Sequence, residues 1–155
     1  MIELAQRVGA ALKARGLKLV TAESCTGGWV AMALTAVAGS SEWFERGYVT
    51  YSNAAKREDL GVSEATLRQH GAVSEQTARE MAAGALKKGA AGVALSITGV
   101  AGPTGGTPDK PVGMVCFAWT DGSKMQSETR RFGGDRESVR RQSVVHALQQ
   151  VLEWL

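Results

Sequence analysis

The chain has 155 residues, a mass of 16.3 kDa and a formal net charge of +3. Its hydrophobic fraction of 44% and charged fraction of 21% are typical of a folded globular protein and exclude a disordered chain. The two distant cysteines exclude a disulfide scaffold and a CxxC zinc cluster, and no apolar run is long enough for a membrane span. The charge is too small to indicate a nucleic-acid partner. The N-terminus has no small-residue cleavage site, so we expect one cytoplasmic domain.

The first part of the chain predicts helices that alternate with strands. Apolar spacing predicts a helix over 2–15, and a short buried strand follows over 17–22. Residues 29–37 are apolar on nearly every side and predict a buried helix, whereas residues 47–52 alternate as a strand does. A short helix over 53–60, capped by its first residue and ended by a glycine, comes next.

The middle of the chain predicts two helices, a strand and a long loop. A small helical piece over 63–70 leads to a longer helix over 75–88, for which Ser74 is a good N-cap. Residues 91–98 are a strong strand candidate. The segment 99–111 contains four glycines and all three prolines of the chain, so we expect a loop there.

The end of the chain predicts a hairpin and a final helix. Residues 113–120 and 125–132 indicate two strands joined by a tight turn, and therefore an antiparallel pair. The last helix begins after Asp135. Helices and strands that alternate before a hairpin predict a mixed sheet between helices, that is, a single α/β domain.

Polar and glycine-rich residues lie where the first predicted strand ends, in the segment AESCTGG over 22–28. Ser24 stands at the carboxyl end of that strand and near the N-terminus of a helix, where backbone N–H groups can bind an oxyanion. Gly27 and Gly28 allow a ligand to approach the backbone closely. These features suit a serine nucleophile, and the alternative is that Ser24 and Thr26 only cap the helix.

Tyr51 and Lys56 follow the second predicted strand. A serine hydroxyl needs a base to react near neutral pH, and neither His70 nor His146 has a partner residue nearby in the sequence. A lysine whose pKa is lowered by burial can serve as that base, and Tyr51 can relay the proton. The alternative is that Lys56 is an ordinary solvated lysine.

The loop after the strongest strand is a second candidate binding segment. Open α/β sheets place their ligand loops at the carboxyl ends of strands, and SITGVAGP over 96–103 stands at such an end. The backbone amides of Gly99, Ala101 and Gly102 can bind an anion or a carbonyl oxygen. The alternative is a plain surface loop, although loops of this length are uncommon without a function.

Arginines cluster around the start of the last helix: Arg130, Arg131, Arg136, Arg140 and Arg141. Arg136 and Arg140 share a helix face, and a paired guanidinium face suits a phosphate or a carboxylate. The alternative is a solvated basic face, which neighbouring acidic residues partly neutralise.

Six segments of the chain together closely resemble the CinA C-terminal domain family: TAESCTGG, GSSEWFERGYVTYSNAAK, HGAVSE, SITGVAGPTGG, KPVG and FGGDRESVRRQ. They occur in the family's order and cover essentially the whole chain. The resemblance implies a three-layer α/β/α sandwich with a mixed sheet, no metal or other cofactor, and a homodimer. It also implies a small-molecule substrate, nicotinamide mononucleotide, whose carboxamide is hydrolysed to nicotinate mononucleotide and ammonia.

Carried over to this sequence, the resemblance implies Ser24 as nucleophile, Lys56 as base and Tyr51 as proton relay. Ser41 also matches a family position and is a second candidate for the nucleophile, or a helper that orients Lys56. The 5′-phosphate would bind Arg136 or Arg140. The remaining expected substrate-binding residues are Thr26, Gly27, Gly28, Thr98, Gly99, Ala101 and Gly102.

Two other functions stay open at this point. The chain can be a non-catalytic module that binds a nucleotide or a DNA-processing partner, although no basic–aromatic stripe supports binding to nucleic acid. It can also hydrolyse a different amide or phosphorylated small molecule. Five large aromatic residues are difficult to assign to one small core, so we expect some of them at a dimer interface: Trp29, Trp43, Phe44, Trp119 and Trp154.

Overall fold

The computed structural model describes all 155 residues and contains every predicted helix and strand, with small shifts in their bounds. In chain order the elements are α1 Ile2–Ala14, β1 Leu19–Glu23, α2 Trp29–Thr35, a 3-10 turn Ser40–Glu42, β2 Phe44–Val49, α3 Asn53–Leu60, α4 Glu64–His70, α5 Glu75–Gly89, β3 Val93–Gly99, β4 Met114–Thr120, β5 Met125–Arg131 and α6 Arg136–Trp154. The largest shift is at β2, which begins and ends earlier than its alternating pattern predicts.

The five strands form one mixed sheet in the order β2-β1-β3-β4-β5. Strands β2, β1 and β3 are parallel, while β4 is antiparallel to both β3 and β5. The register pairs Glu23, the last residue of β1, with Val49 of β2 and with Ile97 of β3. The carboxyl ends of the three parallel strands therefore meet at one edge of the sheet, and the segments that follow them lie side by side.

Helices cover both faces of the sheet and produce two cores. Helices α1, α2 and α6 contact one another on one face, and α5 contacts α3 and α4 on the other. Strand β1 shows the division, because Leu19 belongs to the first core, Val20 and Ala22 belong to the second, and all five of its residues are buried. The α/β class and the three-layer arrangement with a mixed sheet are confirmed.

The large aromatic residues all contact the first core. Trp43 and Trp119 are buried within it, and Trp29, Phe44 and Trp154 pack against it while partly exposed. All five therefore contact one core, but three of them keep exposed surface, so a dimer interface that uses some of them stays a prediction.

Two further details differ from the sequence analysis. Helix α2 is not buried on all sides, since Met32 is 61% exposed on its outer face. Helix α3 is capped by Ser52, whose side chain accepts a hydrogen bond from the Ala55 N–H at 3.0 Å, and Asn53 is its first helical residue. Gly61 ends α3 in the left-handed conformation, as predicted. No helix is both long and apolar enough to cross a lipid bilayer.

Close packing between α3 and α5 gives a testable prediction. A Cβ atom built on Gly84 of α5 would overlap the backbone carbonyl oxygen of Leu60, at the end of α3. Helix propensity alone would favour Gly84→Ala by about 1 kcal/mol. We expect the steric overlap to dominate and to lower the free energy of unfolding by about 1–3 kcal/mol, measured by urea denaturation.

The matched control is Gly133→Ala, because a Cβ atom at Gly133 would meet nothing within 4 Å. Its free energy of unfolding should stay close to that of the wild type. A Gly84→Ala variant more stable than the wild type would show that α3 and α5 are not packed as described.

Candidate active site

A pocket of about 280 Å³ opens at the edge where the parallel strands end. Its walls come from the segments that follow β1, β2 and β3, from α3, from the connection between α4 and α5, and from the start of α6. The lining residues are Ser24, Cys25, Tyr51, Lys56, Ala72, Val73, Thr98, Gly99, Val100, Ala101, Gly102, Thr104, Gly105 and Arg136. A larger cleft of about 600 Å³ between α1 and α6 contains no serine, cysteine or lysine.

The pocket contains a serine and a lysine in direct contact. Ser24 directly follows β1, and its backbone N–H donates to the Ile97 carbonyl at 2.9 Å, which extends the β1–β3 pairing by one residue. Lys56 comes from the first turn of α3, and its Nζ lies 3.0 Å from Ser24 Oγ. Both are buried, with 7% of Ser24 and 1% of Lys56 exposed, so Lys56 is not an ordinary solvated lysine.

The surroundings of Lys56 favour its neutral form. Nζ also donates to the carbonyl oxygens of Thr50, at 2.8 Å, and Tyr51, at 3.4 Å, and it makes no ion pair with a carboxylate. Burial lowers the pKa of Lys56, since the ammonium form loses its hydration, and an anionic Cys25 would oppose this shift. Burial, however, raises the pKa of Cys25 to about 12, so its thiol is neutral and supplies no countercharge near neutral pH.

The buried carboxylate next to Ser24 is bound by a helix rather than by Lys56. Glu23 is fully buried and accepts hydrogen bonds from the backbone N–H groups of Val30, at 2.9 Å, and Ala31, at 3.1 Å. The Thr26 hydroxyl donates to the same carboxylate at 2.7 Å. The N-terminus of α2 therefore neutralises an internal charge, and these N–H groups do not face a substrate.

The structure does not bring Thr26, Gly27 or Gly28 into the pocket. The Gly27 N–H donates to the Ser24 carbonyl at 3.0 Å, so it is occupied within the turn itself. The capping role considered for Ser24 and Thr26 is also absent, because the N-cap residue of α2 is Gly28 and makes no side-chain hydrogen bond. The turn therefore shapes the backbone around Ser24, and contact of these three residues with a substrate stays a prediction without support from the pocket lining.

The loop after β3 lies against the pocket, as its position predicts. Thr98 is buried and donates from Oγ1 to the Ala72 carbonyl at 2.8 Å, while Gly99, Ala101 and Gly102 line the pocket. Hydrogen bonds of 2.9 and 2.8 Å, from Val100 N–H to Met114 O and from Gly113 N–H to Val100 O, anchor the base of the loop. The base of the loop is therefore buried against the pocket while residues 103–109 are exposed, and a role of the loop in binding a ligand stays a prediction.

Tyr51 and Arg136 form one rim of the pocket. The Arg136 guanidinium donates to the Tyr51 hydroxyl at 3.0 Å and to the Gly102 carbonyl at 2.9 Å. Tyr51 is 61% exposed, and it contacts Lys56 through its backbone carbonyl, not through its hydroxyl. The structure thus brings Tyr51 to the site, but its role as proton relay stays a prediction.

Two candidates lie away from the pocket. Ser41 is exposed in the turn before β2, and a strand of six residues, about 20 Å long, separates it from the edge that carries Lys56. Arg140 does not line the pocket, because its guanidinium donates to the carbonyls of Cys25 and Thr26. Arg136 and Arg140 share a helix face, but their guanidinium groups do not form the pair at the pocket that the sequence predicts.

Sequence reasoning missed two parts of the site. Ala72 and Val73 supply an apolar wall, and Glu23 organises the turn that carries Ser24. A signal for Glu23 was present, since a charged residue at the end of a buried strand needs a partner inside the fold. No group of three or more His, Cys, Asp or Glu side chains in the chain is placed to hold a metal ion.

Comparisons with known proteins agree on one family. The model of the CinA C-terminal domain matches residues 1–155. Nicotinamide-nucleotide amidohydrolase PncC of Escherichia coli strain K12 is 58% identical over 151 residues, which cover 96% of this chain and 91% of that protein. The protein of the same name from Pseudomonas putida is 53% identical over 150 residues, or 97% of this chain and 94% of that protein.

A solved structure gives the same result. The crystal structure of a competence-damaged protein (CinA) superfamily protein from Klebsiella pneumoniae matches with a TM-score of 0.95 and 45% sequence identity, covering 98% of this chain and 95% of that chain. Together with the match over the full length, this shows that the chain belongs to the CinA C-terminal domain family.

Proposed function

We propose that this chain hydrolyses the carboxamide of nicotinamide mononucleotide, with Ser24 as the nucleophile and Lys56 as its base. The observation that carries the proposal is the 3.0 Å contact between Lys56 Nζ and Ser24 Oγ inside the pocket. The substrate is supported by the relatives named nicotinamide-nucleotide amidohydrolase, which match this chain over nearly its whole length. A non-catalytic binding module would have no need for a buried lysine without an anionic partner.

The first half of the reaction forms an acyl-enzyme. Neutral Lys56 donates to the carbonyls of Thr50 and Tyr51 and accepts the Ser24 proton through its lone pair, as Oγ attacks the carboxamide carbon. The C–N bond then breaks, and the Lys56 ammonium returns its proton to the departing nitrogen, which leaves as ammonia. One amine can serve both steps because it already lies at hydrogen-bond distance from Oγ.

The second half releases the product. A water molecule attacks the ester carbon, Lys56 accepts its proton, and the Ser24 oxygen leaves and takes that proton back. Nicotinate mononucleotide forms as the carboxylic acid and loses its remaining proton to solvent as it departs. The oxyanion of both tetrahedral intermediates needs N–H donors, and the N–H groups of Cys25 and Ala101 are candidates, because they line the pocket and donate to no backbone carbonyl.

The pocket also offers groups for the rest of the substrate. Val73 and Val100 give an apolar wall for the pyridine ring. Arg136, at the exposed rim, is the cation placed to bind the 5′-phosphate. The homodimer and the cytoplasmic location stay predictions.

The first prediction from the proposed mechanism concerns the nucleophile. The wild-type chain should release ammonia from nicotinamide mononucleotide, and EDTA should not change the rate. Ser24→Ala should lower kcat by at least about 10³-fold, since it removes the oxygen that forms the proposed acyl-enzyme. Ser41→Ala is the matched control and should stay close to wild type, because Ser41 is remote from Lys56.

Ammonia release is measured with a coupled dehydrogenase assay. Full activity of Ser24→Ala would remove the proposed mechanism. If the wild-type chain turns over another phosphorylated amide but no pyridine nucleotide, the proposed mechanism stands and the assignment of nicotinamide mononucleotide as substrate is wrong.

The second prediction concerns pH. Neutral Lys56 is the active form, and burial lowers the pKa of Lys56, so a larger neutral fraction is present at each pH than for an exposed lysine. We expect kcat/KM to rise with pH and to level off below the ordinary pKa of a lysine. Lys56→Arg should be inactive across the range, because a guanidinium stays charged. A profile that keeps rising to the ordinary lysine pKa would contradict this assignment.

The third prediction concerns the phosphate. Arg136→Met removes a charge-assisted contact, and we expect KM for nicotinamide mononucleotide to rise about tenfold or more. KM for nicotinamide riboside, which lacks the phosphate, should change little. Steady-state kinetics measure KM for both compounds, and Arg141→Met is the control on the same helix. An equal rise for both compounds would show that Arg136 acts only on the shape of the pocket.

A further inference from the structure

Arg140 makes three contacts that the proposed reaction does not use. Its Nε donates to the Cys25 carbonyl at 3.0 Å, and its Nη2 donates to the Thr26 carbonyl at 3.2 Å. Its guanidinium also lies over the Trp29 ring, with 5.5 Å between Cζ and the ring centroid. These contacts link α6 to the turn that carries Ser24 and to Trp29, the first residue of α2.

That turn is held from two sides. On the inside, the Glu23 carboxylate binds the N-terminus of α2. On the outside, Arg140 binds the two carbonyls that directly follow Ser24. The peptide unit between Thr26 and Gly27 is fixed at both ends, because its carbonyl accepts from Arg140 and its N–H donates to the Ser24 carbonyl at 3.0 Å.

We infer that Arg140 is a positioning residue, which holds the Ser24 turn so that Oγ stays within reach of Lys56 Nζ. The inference rests on the proposed function only in taking Ser24 as the nucleophile. A substitution outside the reacting groups that displaces one of them by about 1 Å can slow the reaction about 10²-fold. The separation of 3.0 Å between Nζ and Oγ leaves little room for such a displacement.

The local chemistry explains why an arginine is needed. Two N–H groups in a rigid planar fork can reach two neighbouring carbonyls at once, and a planar guanidinium can stack on an indole. A lysine ammonium can also reach two carbonyls, but it has no rigid planar fork and no flat face that stacks on an indole. Gly27 leaves the necessary space, because its φ of +61° is left-handed and a Cβ atom there would lie 3.3 Å from Arg140 Nη2.

The same contacts argue against a role for Arg140 in binding the substrate phosphate. Its guanidinium is directed to the turn and does not line the pocket, whereas that of Arg136 does. A phosphate bound through the Nε–Nη2 edge of Arg140 would have to replace both carbonyl bonds and so release the turn. The two arginines are therefore expected to affect different kinetic constants.

The test compares Arg140→Lys and Arg140→Ala with Arg141→Ala. Arg141 is a close match, since it also lies over Trp29, at 5.4 Å, and pairs with Glu137, but it contacts no carbonyl of the turn. For both Arg140 variants we expect kcat to fall about 10- to 100-fold with KM nearly unchanged, on nicotinamide mononucleotide and on the riboside alike. Added guanidinium ion should partly restore kcat in Arg140→Ala, and Arg141→Ala should behave as wild type.

A second measurement reports on Ser24 without any pyridine nucleotide. In labelling by a fluorophosphonate, Ser24 Oγ bonds to phosphorus, fluoride leaves and Lys56 takes the proton. The labelling rate, followed by mass spectrometry, should fall in the Arg140 variants by the same factor as kcat. If the wild type does not deamidate nicotinamide mononucleotide, this rate still decides the role of Arg140.

Thermal unfolding of each variant separates positioning from loss of fold. If Arg140→Ala is unfolded at the assay temperature, the kinetics of the folded Arg140→Lys variant show whether Arg140 positions the Ser24 turn. Unchanged kcat and labelling in a folded Arg140 variant would overturn the inference. A rise in KM confined to the phosphorylated substrate would also overturn it, because that result would make Arg140 a phosphate ligand.

Discussion

The proposed chemistry depends on one contact, the hydrogen bond between the buried Lys56 amine and the Ser24 hydroxyl. The two residues are distant in the sequence and meet because parallel strands β1 and β2 end at the same edge of the sheet. Ser24 continues β1 by one hydrogen bond to β3. Lys56 reaches it from the first turn of α3, whose start is set by the Ser52 cap and whose end is set by Gly61. The fold thus fixes both partners through backbone geometry.

The charges around this contact are arranged so that the amine stays unpaired. A buried ammonium is unstable without an anion, and pairing with Glu23 would stabilise it. The structure prevents this pairing, because the Glu23 carboxylate is already bound by the N-terminus of α2 and the Thr26 hydroxyl. Cys25 supplies no anion near neutral pH, since burial raises the pKa of its thiol to about 12. Lys56 can therefore lose its proton and act as a base.

The sequence predicted the fold because its helices and strands follow local patterns of apolar periodicity and turn residues. The ends of the parallel strands made Ser24 and Lys56 candidates, but the residues alone also allowed a helix cap and a solvated lysine, and the resemblance to the family implied that the two act together. The roles of Gly27 and Arg140 could not be predicted, because they depend on which partner is near. A glycine-rich turn before a helix suits an anion from a ligand and an internal carboxylate equally well. Helix spacing placed Arg136 and Arg140 on one face, but only tertiary packing directs one to the pocket and the other to the Ser24 turn.

The most direct test of the central claim is the pKa of Lys56 in the folded protein. NMR of the chain with isotope-labelled lysine side chains follows each amine as the pH is raised, and Lys56→Arg assigns the signal. The account predicts that Lys56 titrates at a lower pH than the exposed lysines, and that Ser24→Ala leaves it low, because burial is the first cause of the shift. A Lys56 signal that titrates together with the exposed lysines would contradict the account.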